Sequence, residues 1–158
     1  MSRAFTREED SENAIASIGE RPVSEHRNLV TQQGLVMIDA ELSGLRAELA
    51  KVEAEADKQR VAVISRDLRY WMARRESAEL SVPEEGSDVV RFGMSVKLES
   101  EDGKPVSWRI VGEDEADPAK GSISHVSPMA RALFGKKIGD VATVNGKEWE
   151  VVGLGSGD

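Results

Sequence analysis

Two apolar stripes in the first half of the chain share a spacing but not a phase, and no straight helix can bury both. From Thr31 onward, Leu35, Ile38, Leu42, Leu45, Leu49, Val52 and Ala56 recur at alternating steps of three and four, the heptad seam of an amphipathic helix. Val61, Ile64, Leu68, Trp71 and Ala78 make a second seam, with Arg75 at one expected apolar position. The step from Ala56 to Val61 is five residues, so a single helix would carry its stripe on two faces. An antiparallel hairpin resolves this by folding one stripe onto the other. The alternative, one long two-faced helix, leaves much apolar surface in water. Glu53-Ala54-Glu55-Ala56-Asp57-Lys58 holds no Gly or Pro, so no local signal marks where the chain reverses. Thr31 is placed to cap the first helix, although Gly34 stands where a capping-box Glu is expected.

The rest of the chain divides around this hairpin, which is expected over residues 31 to 82. Residues 1 to 30 mix charged and isolated apolar residues without a period and contain Arg21-Pro22, which reads as a flexible tail. Pro83 and Gly86 mark a linker over 83 to 88. From residue 89 to 158 the pattern is strand-like: Val96 and Leu98 alternate with polar neighbours, Asp102-Gly103 is a turn pair, and Trp108, Ile110 and Val111 lead into a second strand. Ile123 and Val126 mark a third. Ser127-Pro128 opens a short helix that Gly135 closes, and Asn145-Gly146 joins Val141–Val144 to a last strand containing Trp149–Val152. The fold class is therefore α+β: a helical coiled-coil hairpin, then a small antiparallel sheet wrapped on one short helix.

Composition narrows the chemistry. Cysteine is absent, and His26 and His125 are the only histidines, which leaves no thiolate nucleophile or Cys-based zinc site and reads as two ordinary polar histidines. The net charge of −8 argues against binding a phosphate backbone and for a basic surface on a protein partner. Residues 83 to 158 carry most of the excess, with 9 basic against 14 acidic groups. No apolar run approaches the roughly 20 residues of a membrane span, and the amino terminus lacks a signal-like apolar core, so a cytoplasmic protein is expected. Phosphate-loop, dinucleotide, nucleophile-elbow and zinc-protease patterns are all missing, and the chain is expected not to be an enzyme itself. Two carboxylate groups remain: Glu113, Asp114, Glu115 and Asp117 in a loop, and Glu53, Glu55 and Asp57 at the hairpin apex. Acidic groups of this kind hold Mg²⁺ through one or two oxygens, or are simply solvated. Arg60, Arg66, Arg69, Arg74 and Arg75 give the second helix a cationic side, read as charges paired with nearby carboxylates ahead of a binding stripe.

Residues 110 to 117 (Ile-Val-Gly-Glu-Asp-Glu-Ala-Asp), Gly121-Ser122-Ile123-Ser124, and 127 to 140 (Ser-Pro-Met-Ala-Arg-Ala-Leu-Phe-Gly-Lys-Lys-Ile-Gly-Asp) resemble, in order and spacing, the signature of the Gre transcript-cleavage factors. Val30-Thr31-Gln32-Gln33-Gly34-Leu35 is similar to that family's approach to its first helix. The resemblance implies a coiled coil followed by an FKBP-like domain that docks on the rim of the RNA polymerase secondary channel. It implies a docking surface of Glu113, Asp114, Glu115, Asp117, Ser127, Pro128 and Met129. It further implies a bacterial RNA polymerase partner, nucleic acid met only within the transcription complex, a monomer, and no cofactor beyond Mg²⁺ shared with the polymerase. The family's tip motif, D-x-S-E-N-A-E-Y, does not stand between Ala54 and Val61, whereas Asp10-Ser11-Glu12-Asn13-Ala14 is similar to it but precedes the first helix. Glu53, Glu55 and Asp57 at the apex are the candidates for substitute metal ligands, and nothing in their spacing requires that role. Stimulated cleavage therefore stays open against a Rnk-like, non-cleaving occupation of the channel entrance. An FKBP-type peptidyl-prolyl isomerase is disfavoured by an aromatic content of only 4%.

Overall fold

A computed structural model describes residues 18–157. Most of the expected tail, with Asp10-Ser11-Glu12-Asn13-Ala14, lies outside the described residues. The chain forms two compact units. One holds residues 18–25 and Met37–Ser77, the other His26–Val36 and residues 78–157.

In the first unit, helix α1 (Gln32–Ala54) is followed after three residues by helix α2 (Lys58–Ser77). α1 starts in the second unit and continues into this one. The two run antiparallel: Asp39, near the start of α1, pairs with Arg75, near the end of α2, at 2.8 Å, and Glu48 pairs with Arg60 at 3.6 Å. The two-faced helix is thereby ruled out, and the two seams share one interface. Ile38, Leu42 and Val52 from α1 and Ile64 and Leu68 from α2 are buried, while Leu35, Leu45, Leu49, Val61 and Trp71 are half-buried. One seam position differs from expectation. Arg75 is exposed and spent on Asp39, while its neighbour Arg74 is 1% exposed. A long aliphatic stem lets an arginine fill an apolar interface while its head finds polar partners.

The reversal that carried no turn signal is made by Ala56 at φ 56° and by Asp57, whose Oδ1 accepts the N–H of Arg60 at 3.2 Å as the N-cap of α2. A residue with a side chain at left-handed φ is strained, and the α2 cap offsets part of that.

Residues 18–25 are not a free tail. Glu20 takes the guanidinium of Arg69 at 2.6 Å, and Arg21 lies 3.5 Å from Asp67 with its guanidinium 3.9 Å from the Tyr70 ring centroid. Pro22 keeps the segment from becoming helical, so it lies along α2 as a strap held by charge and cation–π contacts. The Arg69 guanidinium holds the Glu20 carboxyl below its ordinary range.

The second unit begins with β1 (Leu29–Val30), paired in parallel with β2 (Glu79–Leu80), both within stretches read from the sequence as tail and hairpin. β3 (Ser95–Ser100), β4 (Pro105–Val111), β5 (Ser122–Ser124), β6 (Val141–Val144) and β7 (Lys147–Gly155) form one sheet in the order β5-β4-β3-β7-β6. The sheet is mixed and not wholly antiparallel, because β4 and β5 run parallel, with Arg109 opposite Ser122. A parallel pair needs a connection that carries the chain back along the sheet, and residues 112–121, with the acidic loop, are that connection. Helix α3 (Pro128–Leu133) covers one face. Val90, Phe92, Val96, Leu98, Ile110, Ile123, Leu133 and Val151 make the core. Asn145 and Gly146, at φ 51° and 77°, form the tight turn from β6 to β7. Among the described residues no helix is long and apolar enough to cross a membrane.

The turn yields a test. Ala56→Gly removes left-handed strain worth about 1–2 kcal/mol, less the extra freedom glycine gains when unfolded, about 0.5–1 kcal/mol. The expected result is a full chain as stable as wild type or up to about 1 kcal/mol more so in urea titrations. Ala56→Val should destabilise by about 1 kcal/mol or more, because a branched Cβ fits left-handed backbone worse still.

Candidate docking site

The acidic loop is shaped by its own backbone. Glu115 and Ala116 N–H groups both donate to the Gly112 carbonyl, at 3.1 and 3.2 Å, and the Asp117 N–H donates to Ser122 Oγ at 2.9 Å. Asp117 then starts a short 3-10 turn (Pro118–Lys120), its side chain making no capping bond there. Glu113, Asp114, Glu115 and Asp117 are all half-buried. The backbone that carries these carboxylates is therefore fixed, and the loop is tied to β5.

Glu115, expected among the outward docking groups, is turned inward. Its Oε2 accepts the N–H of Thr31 at 3.1 Å and the N–H of Gly112 at 3.0 Å, and its Oε1 accepts the Thr31 hydroxyl. Thr31 in turn caps α1, its Oγ1 accepting the Gly34 N–H at 3.0 Å, as its position in the sequence suggested. The missing capping-box side chain at Gly34 has a steric reason: a Cβ there would lie 2.1 Å from Glu115 Cδ.

Ser127 has the extended backbone of an N-cap, φ −66° and ψ 153°, and its Oγ accepts the Ala130 N–H at 3.3 Å. Pro128 occupies the first helical position and is exposed, and Met129 packs partly against the core. The structure thus brings the Ser127-Pro128 turn and the acidic loop into the same unit: the loop leaves β4 after Val111, opposite Ser124, and the turn follows at the same end of β5. Glu53, Glu55 and Asp57 stand in the other unit at the hairpin turn. There Glu55 pairs with Arg60 at 3.5 Å and Asp57 caps α2. Among the described residues no group of three or more His, Asp or Glu is arranged to hold a metal ion.

His125 was read from the sequence as an ordinary polar residue, and the structure gives it more to do. It lies between β5 and α3, 9% exposed, its ring edge-on to Phe92 at 5.5 Å, and its Nε2 is buried without a hydrogen-bond partner. Burial lowers its pKa. Glu113 opposes that shift, and His26, Arg131 and Arg27 add to it. The only sequence signal was its place between a strand and a helix cap.

A scan of family models matches residues 84–153 to the family described as "Transcription elongation factor, GreA/GreB, C-term". Transcription elongation factor GreA of Ralstonia nicotianae is 36% identical over 137 residues, covering 73% of this chain and 86% of that protein. GreB of Haemophilus influenzae is 37% identical over 138 residues, covering 74% and 86%. Against GreA of Bradyrhizobium diazoefficiens, 42% identical over 97 residues, the chain spans 58% of the relative's length. Among solved structures, the GreA factor homolog Gfh1 of Thermus thermophilus aligns at 28% identity over 82% of this chain and 99% of that one. The TM-score of that alignment is 0.39.

Two measurements check the site. The unfolded His125 binds a proton near its ordinary pKa of about 6.5, and the folded one only at lower pH. The stability tied to its neutral burial is thus complete above about pH 6.5 and lost as pH falls through the lowered folded value. The urea midpoint should decline from about pH 7 to about pH 5 more steeply in wild type than in His125→Gln. Ser127→Ala should cost about 1 kcal/mol in the same titration at neutral pH, the usual loss of an N-cap.

Proposed function

The chain belongs to the GreA/GreB family of transcription elongation factors, and on that premise we propose that it regulates elongation by docking its second unit on bacterial RNA polymerase and presenting the helical hairpin to the secondary channel. The observation that supports this most is the acidic loop, whose backbone is held by bonds to Gly112 and Ser122 so that the half-buried Glu113, Asp114 and Asp117 lie on one preset segment, in the same unit as Ser127, Pro128 and Met129. An anionic loop with a preset backbone suits a basic patch, because little backbone freedom is left to lose on binding. We read the second unit as FKBP-like in build but not as an isomerase. The cleft beside the start of α1, lined by Thr31, Gln33, Pro83, Glu85 and Arg109 among others, contains no aromatic side chain, whereas such pockets are largely apolar and aromatic. The factor acts in the cytoplasm as a monomer and meets nucleic acid only inside the transcription complex.

One observation favours a Rnk-like, non-cleaving role over stimulated cleavage. A tip that lends a metal to the polymerase needs carboxylates able to turn outward. Of the three here, Asp57 is spent as the α2 cap and Glu55 faces Arg60. The arms are also short: 23 and 20 residues give about 35 and 30 Å at about 1.5 Å per residue. Any Mg²⁺ near the tip would be the polymerase's own, shared with Glu53 foremost.

Core polymerase should be retained by the full-length chain at low ionic strength, and Glu113→Gln with Asp114→Asn should weaken retention on the order of tenfold. Failure of the wild-type chain to retain polymerase overturns the docking reading. On a backtracked complex the chain should leave cleavage unstimulated and should inhibit a cleaving Gre factor. Stimulation abolished by Glu53, Glu55 and Asp57→Ala would reverse the choice between the two roles.

A further inference from the structure

In a capping box, the side chain three residues beyond the N-cap reaches back to the N-cap's own N–H. Thr31-Gln32-Gln33-Gly34 has no side chain to do so. The Thr31 N–H is satisfied nonetheless, by a carboxylate 84 residues away in sequence. Room for that carboxylate comes from two glycines. Besides the clash at Gly34, a Cβ at Gly112 would stand 2.9 Å from Glu115 Oε2 and 2.5 Å from the Leu29 carbonyl oxygen. Neither glycine has a positive φ, so what matters at both is space and not backbone freedom. Glu115 also receives the Gly112 N–H at the start of the acidic loop. One carboxylate therefore closes the helix start and the loop start together, between Glu113 and Asp114 on one side and Asp117 on the other.

We propose that Glu115 is a positioning residue: it completes the capping box of α1 from within the docking loop, holding Glu113 and Asp114 in the shape that meets the partner while making no contact with the partner itself. This rests on the docking reading above and divides its carboxylates into those that face the polymerase and one that sets the others. The division follows from donor count. A carboxylate already accepting three protein donors gives up charge-assisted bonds if it turns to a partner.

The test uses the full-length chain, wild type, Glu115→Ala, and Glu115→Ala combined with Gly34→Glu, which rebuilds a local capping box. Amide hydrogen exchange without any partner is the first readout. Glu115→Ala should speed exchange at Thr31 and Gly112 by about tenfold or more, the measure of about 1.4 kcal/mol of local protection. The double variant should restore Thr31 but not Gly112. Unchanged exchange at both amides in Glu115→Ala, or restoration of both by Gly34→Glu, overturns the proposal.

The second readout is polymerase affinity against salt. Glu115→Ala and the double variant should both bind more weakly with an unaltered salt dependence, whereas Glu113→Gln should flatten it. An equal flattening in Glu115→Ala means that the carboxylate meets the partner and sinks the proposal. If wild type does not bind polymerase at all, the docking reading falls, and with it the claim that Glu115 serves docking. The exchange result still decides whether it completes the cap.

Discussion

A carboxylate drawn away from water must find donors or give up its charge, and Glu115 finds three of them on two segments far apart in sequence. Much of the second unit is arranged around that requirement. The strand entering α1 is held on one side by β2, where the Glu79 N–H meets the Asn28 carbonyl at 2.8 Å. Against it lies the loop that follows β4, close enough that Gly112 cannot carry a side chain. Remove the carboxylate and the Thr31 and Gly112 N–H groups lose an acceptor together, so the helix start and the acidic loop depend on one interaction. For the same reason residues 26–36 fold with the C-terminal sheet and not with the hairpin they lead into.

What was legible in the sequence was whatever local spacing or local backbone preference encodes. The heptad seams specified two helices, and their broken phase specified a reversal. Ser127-Pro128 and Asn145-Gly146 announced a helix start and a tight turn, and both stand where expected. The rest depends on pairing at a distance. Two-residue strands such as β1 and β2 have no periodicity to detect. The parallel pairing of β5 on β4 follows from the path of the connecting loop and not from any residue in either strand. Two signals were present and easy to pass over. Asp57 directly before a helical run is an N-cap pattern that locates the hairpin turn without Gly or Pro. Gly34 at the capping-box position was a gap in the expected pattern, and the gap is filled from elsewhere.

The arginines of α2 illustrate how structure divides a run of like charge. Arg60 serves Glu48 and Glu55, Arg66 lies on Asp67, Arg69 holds Glu20 and Arg75 holds Asp39, while Arg74 is buried. Exposed pairs of this kind add little stability each. Their effect is on specificity: they fix the antiparallel register and the strap, and they neutralise the cationic side that α2 would otherwise show. The acidic excess is thereby left to the second unit. That leaves the larger acidic excess on the sheet and its loop, the feature from which the docking proposal draws its basic partner surface. Most arginines of α2 are thereby paired within the hairpin unit, whereas Glu53 keeps an exposed carboxylate near the turn. On the docking reading proposed above, an acidic loop would anchor and a hairpin with a muted cationic side would project, a separation that the sequence makes by pairing most arginines of α2 within their own unit.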